Sequence, residues 1–206
     1  MTFSEVPILY SYRRCPYAMR ARMALYVAKI PVEIREISLR NKPAHMLQVS
    51  PKGTVPVLVL PNGHIIEQSI DIMLWALQQH DPEAWLDVDV TQLEHWVVLN
   101  DGPFKLALDR YKYPERYPEN TQDHYRPQGE SYLQSLQHML QQHHFVLGNQ
   151  PSIVDVAIFP FVRQFAAVDA GWFAASPYQK VAAWLSYWVD SELFAQVMQK
   201  YPTYLG

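Results

Sequence analysis

The sequence predicts a small mixed α/β domain followed by an all-α domain, and three observations predict it. Strand and helix signals alternate in the order β-α-β-α-β-β-α over residues 1–80. The acidic, proline-containing stretch Asp81-Pro82-Glu83 to Val90 has no helical period and reads as a linker over 81–90. From 91 to 206 strand signals almost vanish and helix starts recur.

The elements follow in order. Ile8 to Tyr12 is an apolar run of strand length. Pro16 to about Ala28 is rich in Ala, Met, Leu and Arg with no glycine, and Pro16 suits a first helical position because its missing N–H has no partner there anyway. Val32 to Leu39 alternates imperfectly, as a bent strand does, and Asn41 to Leu47 reads as a helical turn. Val55 to Leu60 and His64 to Ile66 are strands joined through Pro61-Asn62-Gly63, a hairpin turn. From Ser69 the apolar residues Ile70, Met73, Leu74 and Leu77 fall at helical spacing. An early βαβ unit with a late hairpin implies a mixed sheet covered by helices.

In the second domain, Thr91-Gln92-Leu93-Glu94 has the form of a capping box opening one helix to about Tyr111. A break at 113–118 precedes a helix from Thr121 to His143, and Gly148 marks a stop. Ser152-Ile153-Val154-Asp155 is a capping-box-like start, with Asp for the usual Glu, to a helix through Val168. Its apolar character all round predicts a central, buried element. Shorter helices over Tyr178–Val189 and Glu192–Lys200 complete the domain.

Composition narrows the classes. Of 206 residues, 49% are hydrophobic and 18% charged, which marks a folded globular chain. A net charge of −3 argues against a nucleic-acid surface. A single cysteine permits no internal disulfide and fits a reducing compartment. Met1-Thr2-Phe3-Ser4-Glu5-Val6-Pro7 has no basic n-region or apolar h-region, and no apolar run approaches the roughly 20 residues that span a bilayer. A soluble, cytoplasmic protein without a membrane partner is the expectation. The histidines, His138, His143 and His144 among them, show no metal-ligand spacing, so no metal is expected.

The stretch with most chemistry is Tyr10-Ser11-Tyr12-Arg13-Arg14-Cys15-Pro16-Tyr17-Ala18-Met19-Arg20. Cys15 stands where strand gives way to helix, at the N-cap, facing unpaired backbone N–H groups and the positive end of the helix dipole. Cysteines in such settings have pKa values drawn down to roughly 3.5–7.5. A small buried hydrophobe is the alternative.

These features resemble the cytosolic glutathione transferase family over essentially the whole chain. Cys15-Pro16-Tyr17-Ala18-x-Arg20 is similar to the omega-type active-site segment and, more loosely, to that of glutaredoxins. Val55-Pro56 resembles the family's strand entry, whose proline is cis. Gln68-Ser69-x-x-Ile72 resembles the segment that opens the third helix and binds the γ-glutamyl end of glutathione. Asn41-Lys42-Pro43 resembles an omega-type segment whose lysine reaches glutathione, and Ser152-x-x-Asp155 the family's folding signature. The resemblance implies a thioredoxin-like first domain, glutathione as co-substrate with no metal, and a homodimer. It also implies Cys15 as the catalytic residue and Tyr17, Lys42, Val55, Pro56, Gln68 and Ser69 as glutathione contacts.

Each of these residues suits a tripeptide with two carboxylates, an amine and a thiol. Backbone groups beside Pro56 can pair with its cysteinyl unit as an added strand. Ser69 at a helix start offers donors to a carboxylate, with a plain N-cap as the alternative. Lys42 suits the glycyl carboxylate, or is a solvated surface lysine. Gln68 stands where the family often has an acid, with Glu67 beside it. Trp96, Phe104 and Tyr111 (with Tyr113, Lys105 or Arg110) offer a wall for a second substrate, or are ordinary helix core and surface.

Ala18 replaces the second cysteine of a C-x-x-C pair, so no intramolecular thiol resolves a mixed disulfide on Cys15. As the resemblance implies, the chemistry is then glutathione-dependent thiol transfer, removal of glutathione from substrates or dehydroascorbate-type reduction. Conjugation of glutathione to electrophiles, with Tyr10, Tyr12 or Tyr17 steadying its thiolate, is one alternative. A non-catalytic transferase-fold binding or regulatory protein is the other.

Overall fold

The computed structural model describes residues 5–206; Met1 to Ser4, part of the run read above for a leader, lie outside the described residues. In chain order the elements are β1 (Ile8–Ser11), α1 (Pro16–Val27), β2 (Glu33–Glu36), α2 (Ala44–Val49), β3 (Val57–Val59), β4 (Ile65–Ile66) and α3 (Ser69–Gln79). There follow α4 (Val90–Leu99), α5 (Lys105–Lys112), α6 (Gln122–Gln142), α7 (Ile153–Ala166), α8 (Ala170–Ala175), α9 (Gln179–Val189) and α10 (Glu192–Val197). The chain divides into two compact units, one taking in the chain to Ala84 together with Glu192–Gly206, the other Trp85–Ser191.

In the first unit a four-stranded mixed sheet has the order β2-β1-β3-β4. Strand β1 is parallel to β2, with Tyr10 opposite Arg35, and antiparallel to β3, with Tyr10 opposite Val57. The two-residue period puts Ile8, Tyr10, Val57 and Val59 on one face, where they join Ile37, Met46 and Val55; Cys15 and Tyr204 pack against that cluster. The hairpin closes through Gly63 at φ 83, a left-handed conformation that suits glycine. Helices α1 and α3 pack on each other.

Helix α10, read from sequence with the all-α domain, clusters instead with the first unit and packs on α1. Beyond it the chain runs beside edge strand β2: Thr203 bridges Glu36 in parallel, and Tyr204 N donates to Glu36 O at 2.7 Å. The exposed hydrogen-bonding edge of β2 is thereby partly capped by the protein's own tail.

The second unit is helical, with α7 central. Almost every residue of α7 is buried, and it packs on α4, α5 and α9. Three local features differ from the sequence reading. Asp89, not Thr91, caps α4: its Oδ1 accepts from Thr91 N and from Thr91 Oγ, both at 2.8 Å, because a carboxylate is the stronger acceptor. The single helix expected to Tyr111 is interrupted by a π-helical turn at Asn100–Phe104, where Pro103 supplies no N–H for the α register. Helix α8 was not foreseen; its signal is Asp169, which accepts from Trp172 N at 2.9 Å.

Helix α6 reaches Phe165 of α7 through a glycine. A Cβ on Gly129 would stand 2.3 Å from Phe165 Cε2, and Phe165 is flanked by Tyr111 at 4.9 Å and Phe104 at 5.4 Å between ring centroids. Alanine favours a helix by about 1 kcal/mol over glycine. Overpacking a closed core costs about 1–3 kcal/mol, and here the contact is so short that it outweighs the propensity. Gly129→Ala is expected to lower the urea midpoint, by roughly 2 kcal/mol of stability, with the slope unchanged. A midpoint equal to the parent's would contradict this close approach.

Candidate active site

Cys15 occupies the N-cap of α1 with extended backbone, φ −75 and ψ 123. The turn before it closes through Cys15 N to Tyr12 O at 2.9 Å, and the first helical bond runs from Met19 N to Cys15 O at 2.9 Å. Pro16 stands at the helix start, where its fixed φ suits the turn of direction. The thiol is half-buried, and its Sγ donates to Val55 O at 3.6 Å. The Val55–Pro56 peptide is cis. The sulfur therefore lies beside the backbone that the sequence singles out for an added strand.

The loop from Ser50 to Pro56 gathers several of the other candidates. Ser50 Oγ donates to Glu67 Oε1 at 2.6 Å and Lys52 Nζ lies 3.3 Å from Glu67 Oε2. The Ser50 bond, then the Lys52 bond, hold the Glu67 carboxyl below the usual range. A lowered value means that these contacts are intact above the ordinary carboxylate pKa and loosen as acid protonates Glu67. Glu67 is thus committed to the loop. Lys42 is half-buried against the same turn: at Gly53, whose φ is +61, an added Cβ would stand 3.3 Å from Lys42 Nζ.

Gln68, exposed, takes the N-cap position of α3, and its carbonyl accepts from Ile72 N at 3.0 Å. Ser69 is the first helical residue and is 4% exposed. Its Oγ accepts from Nε of Arg20, itself 1% exposed, at 2.9 Å. With that lone pair occupied, the hydroxyl hydrogen remains to donate, and a cation stands behind it. The Arg20 guanidinium also lies 5.0 Å over the Tyr17 ring. Arg20 thus ties the start of α3 to the residue after Cys15-Pro16. The sequence places Arg20 in the Cys-Pro motif, but a partner 49 positions away carries no local signal.

Tyr10 is fully buried. Arg35 Nη1 donates to its hydroxyl oxygen at 2.9 Å, and the hydroxyl bonds His45 Nδ1. Since arginine only donates, the Tyr10 oxygen accepts on that side, and the contact with His45 occupies the hydroxyl on the other. Burial pushes the Tyr10 phenol above its usual range, against the opposing pull of Arg35. Tyr12 accepts from Arg14 Nε at 3.0 Å.

In the second unit Trp96, Phe104 and Tyr111 are 3%, 1% and 1% exposed. Phe104 stacks on Tyr132 at 4.2 Å, Trp96 meets the same ring edge-on at 5.7 Å, and Tyr111 packs on Phe165. Lys105 pairs with Asp109 one turn on. Within this unit, then, the rings do the work of helix core. Among the described residues no group of His, Cys, Asp and Glu is arranged to hold a metal, and no helix is long and apolar enough to cross a membrane.

A thioredoxin-like unit with a cysteine at its first helix and a Val-Pro loop beside the sulfur, joined in sequence to a helical unit, is the arrangement that the resemblance to the glutathione transferases implies. The comparisons make the assignment specific. The family model for the glutathione S-transferase N-terminal domain matches residues 9–84, and that for the glutathione S-transferase C-terminal domain matches residues 119–186. Glutathione S-transferase omega-1 of Mus musculus is 26% identical over 211 residues, covering 94% of this chain and 85% of its own. Among solved structures, glutathione transferase Omega 3C of Trametes versicolor superposes with a TM-score of 0.75 at 23% identity, over 100% of this chain and 94% of its own. A glutathione transferase family member of Pseudomonas fluorescens, solved with two glutathione molecules bound, gives 0.81 at 18% identity over 96% and 94%. The chain belongs to the glutathione S-transferase family, is omega-like within it, and is an enzyme of that family.

Proposed function

We propose that the protein is a cysteine-type, glutathione-dependent thiol transferase working through a Cys15–glutathione mixed disulfide. The observation that carries this reading is the position of the lone cysteine: half-buried at a helix N-cap, 3.6 Å from the Val55 carbonyl. A glutathione peptide laid along Val55 and Pro56 brings its sulfur to Cys15. Ser69, with Arg20 behind it, takes one carboxylate at the start of α3, and Lys42 takes the other. Gln68 and Tyr17 complete the proposed glutathione contacts.

The reaction balances without an external oxidant. The Cys15 thiolate attacks the glutathionyl sulfur of a disulfide RS–SG; the S–S bond breaks, Cys15–SG forms, and RS⁻ leaves to take a proton from water. A second glutathione, as thiolate, attacks the sulfur of the bound glutathionyl group. Oxidised glutathione departs and the Cys15 thiolate returns. With one cysteine in the chain, that second step must come from outside. Two glutathione molecules bound to the Pseudomonas protein accord with such a sequence.

The conjugating alternative needs a hydroxyl for the glutathione thiolate. Tyr10, buried and engaged by both Arg35 and His45, does not offer one. A cytoplasmic homodimer completes the reading, by resemblance to the family. The test is intact mass after incubation with oxidised glutathione, beside a Cys15→Ser control. One glutathionyl adduct on the parent alone is expected. No adduct on the parent, with glutathione conjugation to an aryl halide persisting in Cys15→Ser, would transfer the assignment to the conjugating reaction.

A further inference from the structure

Arg22 is 3% exposed, yet no step above uses it. It lies seven residues beyond Cys15 on α1, two turns along and on the same side of the helix. Side chains on a helix lean toward its N-terminus, so the guanidinium of Arg22 runs back under the loop that carries the nucleophile. There its Nη2 donates to Arg13 O at 3.0 Å and touches Met198 Sδ at 4.0 Å. Its Nε and Nη1 are buried with no hydrogen-bond partner among the described residues.

The same loop is held from the other side. Arg13 N donates to Glu36 Oε1 at 2.7 Å, and Arg13 Nη1 reaches Met198 O at 3.5 Å. Glu36 is anchored in turn by the tail, through Tyr204 N to its carbonyl. Glu36 Oε2 is buried and, among the described residues, has no hydrogen-bond partner. Arg13, two positions before the sulfur, is therefore bonded at its N–H by Glu36 and at its C=O by Arg22.

An arginine and a glutamate in this setting would ordinarily close into a bidentate pair and cancel each other's field. Here Arg22 Nε and Nη1 and Glu36 Oε2 make no such bond among the described residues, and the Arg22 charge stands in a poorly solvated place where its field reaches its surroundings. We propose that Arg22 is a positioning residue for Cys15: it fixes the Arg13–Cys15 turn through the Arg13 carbonyl and supplies the buried positive charge that keeps the sulfur in its reactive form, with Glu36 as the opposing weight. This rests on the thiol-transfer reading. Burial lowers the Arg22 value, while attraction to Glu36, Tyr201 and Cys15 raises it and repulsion from Arg13 lowers it further. Exposed Arg14, with Tyr12, lies on the same loop.

The test measures Cys15 alkylation by iodoacetamide against pH on the full chain, with no glutathione present. Arg22→Met is expected to move the midpoint of the profile up by about one pH unit. Arg22→Lys, which keeps the charge, is expected to restore most of it. Glu36→Gln keeps an acceptor for Arg13 N but removes the negative charge, and is expected to move the midpoint down. That variant decides the matter if Arg22→Met does not fold. A parental midpoint in folded Arg22→Met, an Arg22→Lys profile like that of Arg22→Met, or a Glu36→Gln midpoint unmoved or raised each overturns the proposal. A parent that forms the glutathionyl adduct but shows any of these keeps the thiol-transfer reading and loses this one. A parent whose sulfur iodoacetamide leaves untouched loses both.

Discussion

Cys15→Ser is expected to abolish glutathione-dependent reduction of a mixed disulfide, by on the order of a thousandfold or more, the scale seen when a covalent nucleophile is deleted. The size follows from the chemistry. A serine hydroxyl is almost wholly protonated at neutral pH, and the disulfide intermediate needs sulfur. Ala18 stands where a second thiol would be, so nothing in the chain substitutes. The effect falls on turnover. Ser69, Arg20, Lys42 and the Val55–Pro56 loop are untouched, and the serine side chain is close in size, so glutathione affinity stays within a few-fold. Stopped kinetics with a glutathionylated peptide, alongside calorimetric binding of glutathione, separates the two. Reduction within tenfold of the parent would end the cysteine-type reading. A parallel loss of affinity would show Cys15 to be chiefly a docking contact.

Asp155→Ala is expected to be the most damaging single change to stability, at about 4 kcal/mol or more. Asp155 is fully buried at the start of α7. Its Oδ1 accepts from Val146 N at 3.0 Å and Trp184 Nε1 at 2.8 Å, and its Oδ2 from Ser152 N at 3.0 Å and Ser152 Oγ at 2.9 Å. One carboxylate thus binds the loop before α7, the cap of α7 and helix α9. Alanine strands these donors in the core, each at a cost of about 1–3 kcal/mol, and truncates packing as well. Asn is nearly the same shape but turns an NH₂ toward donors, so Asp155→Asn is expected to recover part of the loss and no more.

Burial pushes the Asp155 carboxyl above its usual range, against the pull of the Val146, Trp184 and Ser152 bonds. A raised folded value means that proton uptake favours the folded state. That contribution is complete below the unfolded carboxylate pKa and fades as pH rises through the folded value. Urea midpoints across this range should show the slope in the parent and not in Asp155→Asn. Equal slopes would assign the pH dependence elsewhere.

The cap at Ser152 and Asp155 is legible in the sequence because its partners are three residues apart. The same holds for Cys15 at the N-cap: a strand, then Cys-Pro, then a helix-forming run states the position of the sulfur without tertiary knowledge. Helix α8 is not legible in the sequence because six residues are too few for a period to show. Helix α10 shows the limit of pattern in another way. Its apolar residues say that it is amphipathic and leave open what it covers, and the structure puts it with the first unit.

Within the site, the residue types were readable and their partnerships were not. Glu67 and Gln68 are equivalent candidates in sequence; the hydrogen bonds from Ser50 and Lys52 commit Glu67 to the loop. Tyr10, Tyr12 and Tyr17 look alike along the chain, and only burial with Arg35 and His45 removes Tyr10 as a hydroxyl donor to substrate.

What the amino-acid order determined alone is the succession of elements, the place of the one thiol at a helix start, and the absence of a second thiol to resolve it. These depend on propensities and spacings that act within a few residues. What only tertiary structure decided is the company the thiol keeps: Val55 forty positions away, Arg20 joined to Ser69, and Arg22 and the tail beneath the loop. Contacts between distant residues are set by how whole elements bury their apolar faces together, and that balance leaves no local mark in the chain.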